Sequence, residues 1–389
     1  MSRLSPEKIA SFRRNAVLLA VLAAVSAALF AIPRPAARGF VQEGWLCRAE
    51  ILSTDDSQLM DHGVTKYGSQ LLRVRILEGI AKGKEYAACN ELRAQLELDK
   101  LFRPGDTALV VMPPEKEGLP PEDAMLNAQQ RYRAGWGWLL FGAFCVLLCI
   151  FGGWTGFKAL LSFVFSCIVI WRAVIPLALM GYSASWVSFA AVVLLTAVIM
   201  YLVAGATRRC AVATAGAAAG VLAGLLMAHF FTRIMAINGA TMPYAQTLLY
   251  SGFEGLDLQD IFIGAMMLAS SGAVMDLAMD IACGMEEVSR HNPMLGRATL
   301  LASGLRMGRS VVGTMTTTLL LAYSGGYITL MMMFSAQGNH PADFINNPLV
   351  AAEAVKTLIG SFSLVLVAPF TALIGSLAFA RRGPAAQGR

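Results

Sequence analysis

From residue 134 to residue 380 the chain is a succession of apolar runs, each about as long as a bilayer is thick, separated by short polar breaks. A helix needs about 20 residues to cross a hydrocarbon core of ~30 Å. In that core every peptide group must be hydrogen-bonded within the chain, so such runs dictate helices. Seven runs are legible, at 136–152, 158–180, 185–206, 210–231, 260–284, 309–334 and 352–380. An eighth, 15–32, precedes them and follows Arg3, Lys8, Arg13 and Arg14. It reads as an uncleaved anchor, with a cleaved signal peptide as the alternative because small residues follow it. Charged residues make up only 14% of the chain, too few to cover a soluble surface.

Residues 33–134 have another character. The stretches 45–52, 70–77 and 107–112 are short β-type runs, and Leu72-Arg-Val-Arg-Ile76 alternates apolar and charged as a half-buried strand does. Gly83-Lys84 and Pro104-Gly105-Asp106 are turn signals, and Pro113-Pro114 and Pro120-Pro121 bracket a linker. The segment 125–133 reads as a short polar helix leading to the membrane. The expected organisation is an N-terminal segment and anchor (1–32), a β-rich, barrel-like domain (33–134), a seven-helix membrane domain (135–380) and a tail (381–389). The fold class is thus mainly α, a polytopic bundle of about eight transmembrane helices with a small β domain after the first.

The charges orient this frame. The formal net charge is +6, yet residues 33–134 hold 14 basic and 15 acidic side chains. The surplus sits at helix ends: Lys158, Arg208, Arg209, Arg290, Arg297, Arg306, Arg309, Arg381, Arg382 and Arg389 all fall on one side of an eight-helix count, and Arg233 alone on the other. This is the positive-inside pattern and not a nucleic-acid groove. It places both termini in the cytoplasm and residues 33–134 outside a bacterial cytoplasmic membrane.

Ionisable residues inside such runs are candidates for function. Asp276 and Asp280, four apart in the 260–284 run, share one helical face with Ala265, Ala269 and Gly272. Small residues mark helix–helix contact, so this face is expected to point into the bundle, with Arg309 as the acids' partner and Arg306 as second choice. Arg309, Gly313, Thr316 and Thr317 follow on the next helix. Glu353 and Lys356 lie three apart on the last one and can pair with each other. Arg172 lies deep in its run and either snorkels outward or meets an acid. The functional reading of this set is a cation or proton site; the bland one is structural ion pairing. Seven cysteines and four scattered histidines show no metal or haem spacing, and no cofactor is expected. Cys47 and Cys89, the only cysteines of the 33–134 domain, are either a disulfide or two separate thiols.

Gly272-Ala-Val-Met-Asp276, Glu287, Gly308-Arg309, Gly313-Thr314-Met315, Thr318-Leu-Leu-Leu-Ala-Tyr323 and Gly325-Gly326 together resemble the YibE/F family of bacterial membrane proteins. Gly360-Ser361 and Pro369-Phe-Thr371 look like that family too, as do residues 74–84 and Gly105-Asp106 of the outer domain. This chain departs from the family pattern at Ser310, where an acid is usual, at Thr317, where Asn is, and at Asp280, where a small hydroxyl residue is. The resemblance implies fold and membrane location more than activity. The sequence points to a permease-like protein moving a small ion or solute through a polar seam between the last three helices. The alternative is an envelope sensor or assembly factor whose outer domain binds a partner. No HExxH or GxSxG motif speaks for an enzyme.

Overall fold

The computed structural model describes residues 24–33, 44–96, 98–113, 119–121, 123–338 and 340–380. Arg3, Lys8, Arg13, Arg14, the first half of the 15–32 run, Pro114 and the C-terminal Arg381, Arg382 and Arg389 lie outside the described residues. The chain divides into two compact units, Phe40–Leu147 and Met1–Gly39 with Leu148–Arg389.

The first unit is built on six strands: β1 (Trp45–Asp55), β2 (Leu59–His62), β3 (Thr65–Ile76), β4 (Glu85–Arg93), β5 (Thr107–Met112) and β6 (Met125–Arg131). Their order is β1-β5-β6-β4-β3-β2, and β1 also pairs with β3. That extra pairing closes five strands into a barrel and leaves β2 as a hairpin extension of β3. Every pairing is antiparallel except β4 with β6. Five strands connected this way form the Greek-key barrel of the OB type.

Alternation fills the barrel. Cys47, Ala49 and Ile51 of β1, Leu72, Val74 and Ile76 of β3, Tyr86 and Ala88 of β4, and Val110 and Met112 of β5 point inward and are buried. The outward positions of β3 and β4 are charged and pair across strands: Arg75 bridges Glu85 at 3.0 Å and Glu50 at 3.8 Å, and Arg73 reaches Glu85 at 3.5 Å. One amide is buried and wholly satisfied. Gln70 donates to Asp56 Oδ1 (2.8 Å) and the Phe102 carbonyl (3.0 Å), and accepts from the Phe102 N–H (3.0 Å) and Asn90 Nδ2 (3.1 Å).

Two expectations need correction here. Residues 125–131 are a strand, not a polar helix, because Leu126 and Ala128 at alternate positions fill the gap between β5 and β4. Cys47 and Cys89 are free thiols. Cys47 points into the barrel, whereas Cys89 lies between the inward-facing Ala88 and Asn90 and so points outward. With β3 between their strands, the two sulfurs are on opposite sides of the wall and cannot bridge.

The second unit is helical. α1 (Ala134–Val169) leads through a π-helical turn (Ile170–Val174) into α2 (Ile175–Leu179); α3 (Ala184–Ala204), α4 (Arg208–Ile234), α5 (Ala245–Tyr250), α6 (Leu258–His291), α7 (Arg297–Gln337), α8 (Pro341–Asn346) and α9 (Pro348–Phe379) follow. The first 14 residues of α1 belong to the other unit. Among the described residues six helical runs are long and apolar enough to cross a membrane, the first being the continuous stretch Ala134–Leu179. That stretch is broken at Gly153, whose φ of 51° and ψ of −127° are not helical. A Cβ at Gly156 would collide with the Leu148 carbonyl, although eight residues of straight helix span about 12 Å. The chain therefore turns sharply at Gly153.

Small residues set the tightest helix contact. Gly216, Gly220 and Gly224 of α4, four apart, receive Thr371, Val367 and Ser363 of α9. A Cβ on Gly220 would lie 2.8 Å from Val367 Cβ, and one on Gly216 or Gly224 would overlap its partner's side chain. This is the small-xxx-small packing of membrane helices. α6 buries Ile263, Met266, Met267, Val274, Leu277, Ile281 and Met285 in the same core. The expected loop at 285–308 shrinks to residues 292–296, because the polar ends of α6 and α7 continue as helix beyond the apolar runs.

Candidate functional site

Glu353 and Lys356 lie within the first three turns of α9, three residues apart on one face. Lys356 Nζ sits 2.6 Å from Glu353 Oε2, and both side chains are a little under one-third exposed. The ammonium stands 5.8 Å from the ring centre of Tyr323 on α7. One turn on, Gly360 lacks a side chain where one would press on two others: its Cβ would be 3.4 Å from the Tyr323 ring and hydroxyl and 3.3 Å from Ser270 Cβ on α6. Gly360 thus lets α6, α7 and α9 converge around a phenol and an ion pair. Ser270, Thr357 and Ser361 bond back to their own helices. The Tyr323 hydroxyl is buried and has no hydrogen-bond partner among the described residues. A buried hydroxyl left unpaired costs about 1–3 kcal/mol, and this one has no compensating bond among the described residues.

The acids of α6 lie elsewhere. Asp276 and Asp280 are exposed, and so are Ala265, Ala269 and Gly272. This corrects the expectation that the face points into the bundle. The helix packs instead through other positions, and its close approaches use other glycines: a Cβ at Gly264 would lie 2.7 Å from the Ala184 carbonyl oxygen, and one at Gly284 2.7 Å from Met307 Sδ. Arg309 is not their partner either. The buried line of α7 is Leu300, Gly304, Gly308 and Leu319, and Arg309, one residue past Gly308, is turned about 100° out of it and exposed. Among the described residues an inter-helix ion pair joins Arg209 at the start of α4 to Glu286 on α6 (3.7 Å), which the sequence did not single out. Carboxylates on a membrane face cost about 2.5–3.5 kcal/mol each on insertion scales.

Of the remaining candidates, Thr317 is exposed and bonds back to the Gly313 carbonyl (3.0 Å). Thr316 is half-buried and its hydroxyl has no partner among the described residues. Arg172 is buried in the π-helical turn. Among the described residues it pairs with no acid: its guanidinium donates to the carbonyls of Phe30 and Ile32 and lies 4.6 Å from the Phe30 ring centre. A cation on the last carbonyls of a helix is its favourable place.

A second polar cluster closes the ends of α3, α4 and α6. Asp260 accepts from Ser183 Oγ (2.9 Å) and the Ser185 N–H (3.2 Å), and the buried Ser185 hydroxyl shares a hydrogen bond with His229 Nε2 (3.2 Å). Gln259 donates to Thr232 Oγ1 (3.0 Å). His229, Arg233, Asp257, Gln259, Asp260 and Ile263 line a cavity of about 270 Å³. Sequence reading passed over this cluster. Asp257, which caps α6 through the Asp260 N–H, was its one legible signal.

The family described as YibE/F-like protein matches residues 140–381, which include every helix of both clusters. No curated protein and no solved structure matches the chain.

Proposed function

The chain belongs to the YibE/F-like family of membrane proteins, and from that setting we propose that it is a permease-like protein moving a small ion or solute along the seam between α6, α7 and α9. The observation that carries this reading is the Lys356–Glu353 pair beside a buried, unpartnered Tyr323 hydroxyl, in helices otherwise given to apolar packing. A charged couple can exchange a proton or hold a small ion, and a free phenol can replace one hydration bond of a passing solute. No covalent chemistry is part of this reading, and no cofactor.

The topology belongs to the same proposal. The break at Gly153 separates two arms that each cross the bilayer, and the 15–32 run adds one crossing, for eight in all. Both termini are then cytoplasmic and the barrel extracytoplasmic, in a bacterial cytoplasmic membrane. Reporter fusions after Leu101 and after Arg389 are expected to report opposite sides; same-side signals would overturn the count.

The transport test compares elemental and metabolite profiles of cells lacking the protein with cells overproducing it. A solute is expected to move in opposite directions in the two strains and to stop moving with Lys356→Met. Profiles that do not separate would favour a second reading, an envelope sensor or assembly factor. The barrel supports that alternative, since a domain with its own closed core is more than simple transport requires. A photo-crosslinker at exposed Tyr67 or Leu46 that captures one envelope protein in cells would establish it.

A further inference from the structure

Two helices leave charge on the outside of the bundle. On α6 the exposed face runs through Ala265, Ala269, Gly272, Asp276 and Asp280; on α7 Arg306, Arg309 and Gly313 are exposed. Among the described residues neither acid forms an ion pair, and neither does either arginine, Arg306 reaching only the Ser303 hydroxyl at 3.3 Å. α7 is also the least buried candidate span: 6% of its most apolar window is covered, against 61% for α6.

Depth makes these residues complementary. α6 and α7 run in opposite directions from the turn at 292–296. At 1.5 Å per residue, Asp280 and Asp276 lie about 17 and 22 Å from the α6 end at His291. Arg306 and Arg309 lie about 14 and 18 Å from the α7 start at Arg297. Two acids and two bases thus occupy similar levels, with no ion pair between them among the described residues. Copies of a chain inserted the same way round in one bilayer meet at equal depth, so each copy offers the next what its own acids lack. The apolar stretches 134–152 and 24–33 contain no charged residue and cannot meet that need. The small residues above the acids allow the close backbone approach that membrane helices use to associate.

We propose that the chain self-associates in the membrane, the Asp276–Asp280 face of α6 in one copy docking on the Arg306–Arg309 face of α7 in the next. The occupant is a second copy because it carries matching charges, in equal number, at the required depth. Charge compensation across the interface replaces the compensation that the single chain does not make. The repeat is head to tail, which gives a ring where the rotation closes and an open row of copies where it does not.

The test uses the full chain in lipid nanodiscs. Wild-type protein is expected to run as an oligomer by mass measurement. A chain with Asp276→Lys and Asp280→Lys, and another with Arg306→Glu and Arg309→Glu, are each expected to associate at least tenfold more weakly alone and to co-purify when expressed together. Should a reversed chain fail to insert, a gentler pair decides. Gly272→Cys and Gly313→Cys have no atom within 4 Å of the added Cβ, so both side chains fit. Two differently tagged chains, one with each cysteine, are expected to form an oxidised heterodimer absent from a control with the native cysteines only. A monomeric wild type, or no crosslink above that control, overturns the proposal.

Discussion

Gln70 is a buried side chain and Tyr323 a half-buried one with a buried hydroxyl, and their circumstances are opposite. In the barrel, Gln70 exchanges four hydrogen bonds and no part of its amide is left over. In the bundle, the Tyr323 hydroxyl has no partner among the described residues. The charges follow the same division. Outward arginines on β3 find glutamates across the strands, while Asp276, Asp280 and Arg309 find nothing within the described chain. Polar groups that serve the fold are satisfied by the fold. The bundle leaves further groups unpaired, the hydroxyl of the buried Thr371 against Gly216 among them, so an unpaired group there marks a place to test and not by itself a site.

The largest effect should come from breaking the satisfied side. Gln70→Leu strands the Phe102 peptide in the barrel interior and takes one of two acceptors from the Asn90 amide, which keeps the Lys100 carbonyl, and each orphaned group costs about 1–3 kcal/mol. A loss of about 3 kcal/mol is expected, visible as faster hydrogen exchange across β3 and β4 with the helices unchanged. Unchanged exchange would mean the network is ornamental. Next is Cys47, whose thiol burial and the Glu78 carboxylate push up to about 11. Its thiolate should be roughly a hundredfold scarcer than at an ordinary thiol of pKa near 9, and its alkylation should rise about tenfold per pH unit toward 11. Because the folded state holds this proton more tightly, the stability it adds is full below about pH 9 and is lost as pH rises toward 11. Mass spectrometry of pulse-alkylated native protein checks both, and full Cys47 labelling at neutral pH would reject the inward placement.

How far the sequence revealed these differences depended on whether a residue's partner was local. β3 was legible because apolar and charged residues alternate from Leu72 to Ile76, and β1 and β5 because they are short β-type runs, β5 directly after the Pro104-Gly105-Asp106 turn. β4 was not, since its inward positions include Ala88 and Asn90 and its outward ones Glu85, Glu91 and Arg93. β6 passed for a helix because only its neighbours make it a strand. Glu353 and Lys356 were readable as a pair because they are three residues apart. The direction of the α6 acids was misread because small residues occur on both sides of that helix, and those packed within the chain include Gly264, Ser270, Ala278, Ala282 and Gly284 but not Ala265, Ala269 and Gly272. Tyr323 and the Ser185–His229 contact each join separate helices, and no spacing in one segment announces such a meeting.

Removing Lys356 would carry the contrast into the bundle. A fully buried ion pair broken on one side costs about 3–5 kcal/mol, but both partners here are a little under one-third exposed, so Lys356→Met should cost about 2 kcal/mol. The double variant Glu353→Gln with Lys356→Met should regain most of it, since the remaining amide is neutral. Thermal melts followed by size-exclusion chromatography in detergent measure both. A single variant as stable as wild type would mean that water already reaches Glu353 and the pair is not part of the packed seam.

The smallest structural effect is expected at Tyr323, and it discriminates most sharply. Phenylalanine keeps the ring under the Lys356 ammonium and against Gly360, and removes only the hydroxyl. If that hydroxyl served the fold, its loss would cost about 1 kcal/mol, as for an ordinary hydrogen bond. Because it bonds nothing among the described residues, Tyr323→Phe should leave the melting temperature unchanged or raise it by the equivalent of up to about 1 kcal/mol. If the proposed path along the seam exists, a passing solute can take up this hydroxyl, and its removal is expected to slow that movement without weakening the protein. The measurement is the solute shift between overproducing and deletion cells, repeated with Tyr323→Phe at matched protein level. A stable variant that moves the solute as fast as wild type would take Tyr323 out of the path and return its hydroxyl to the fold as an imperfectly satisfied group.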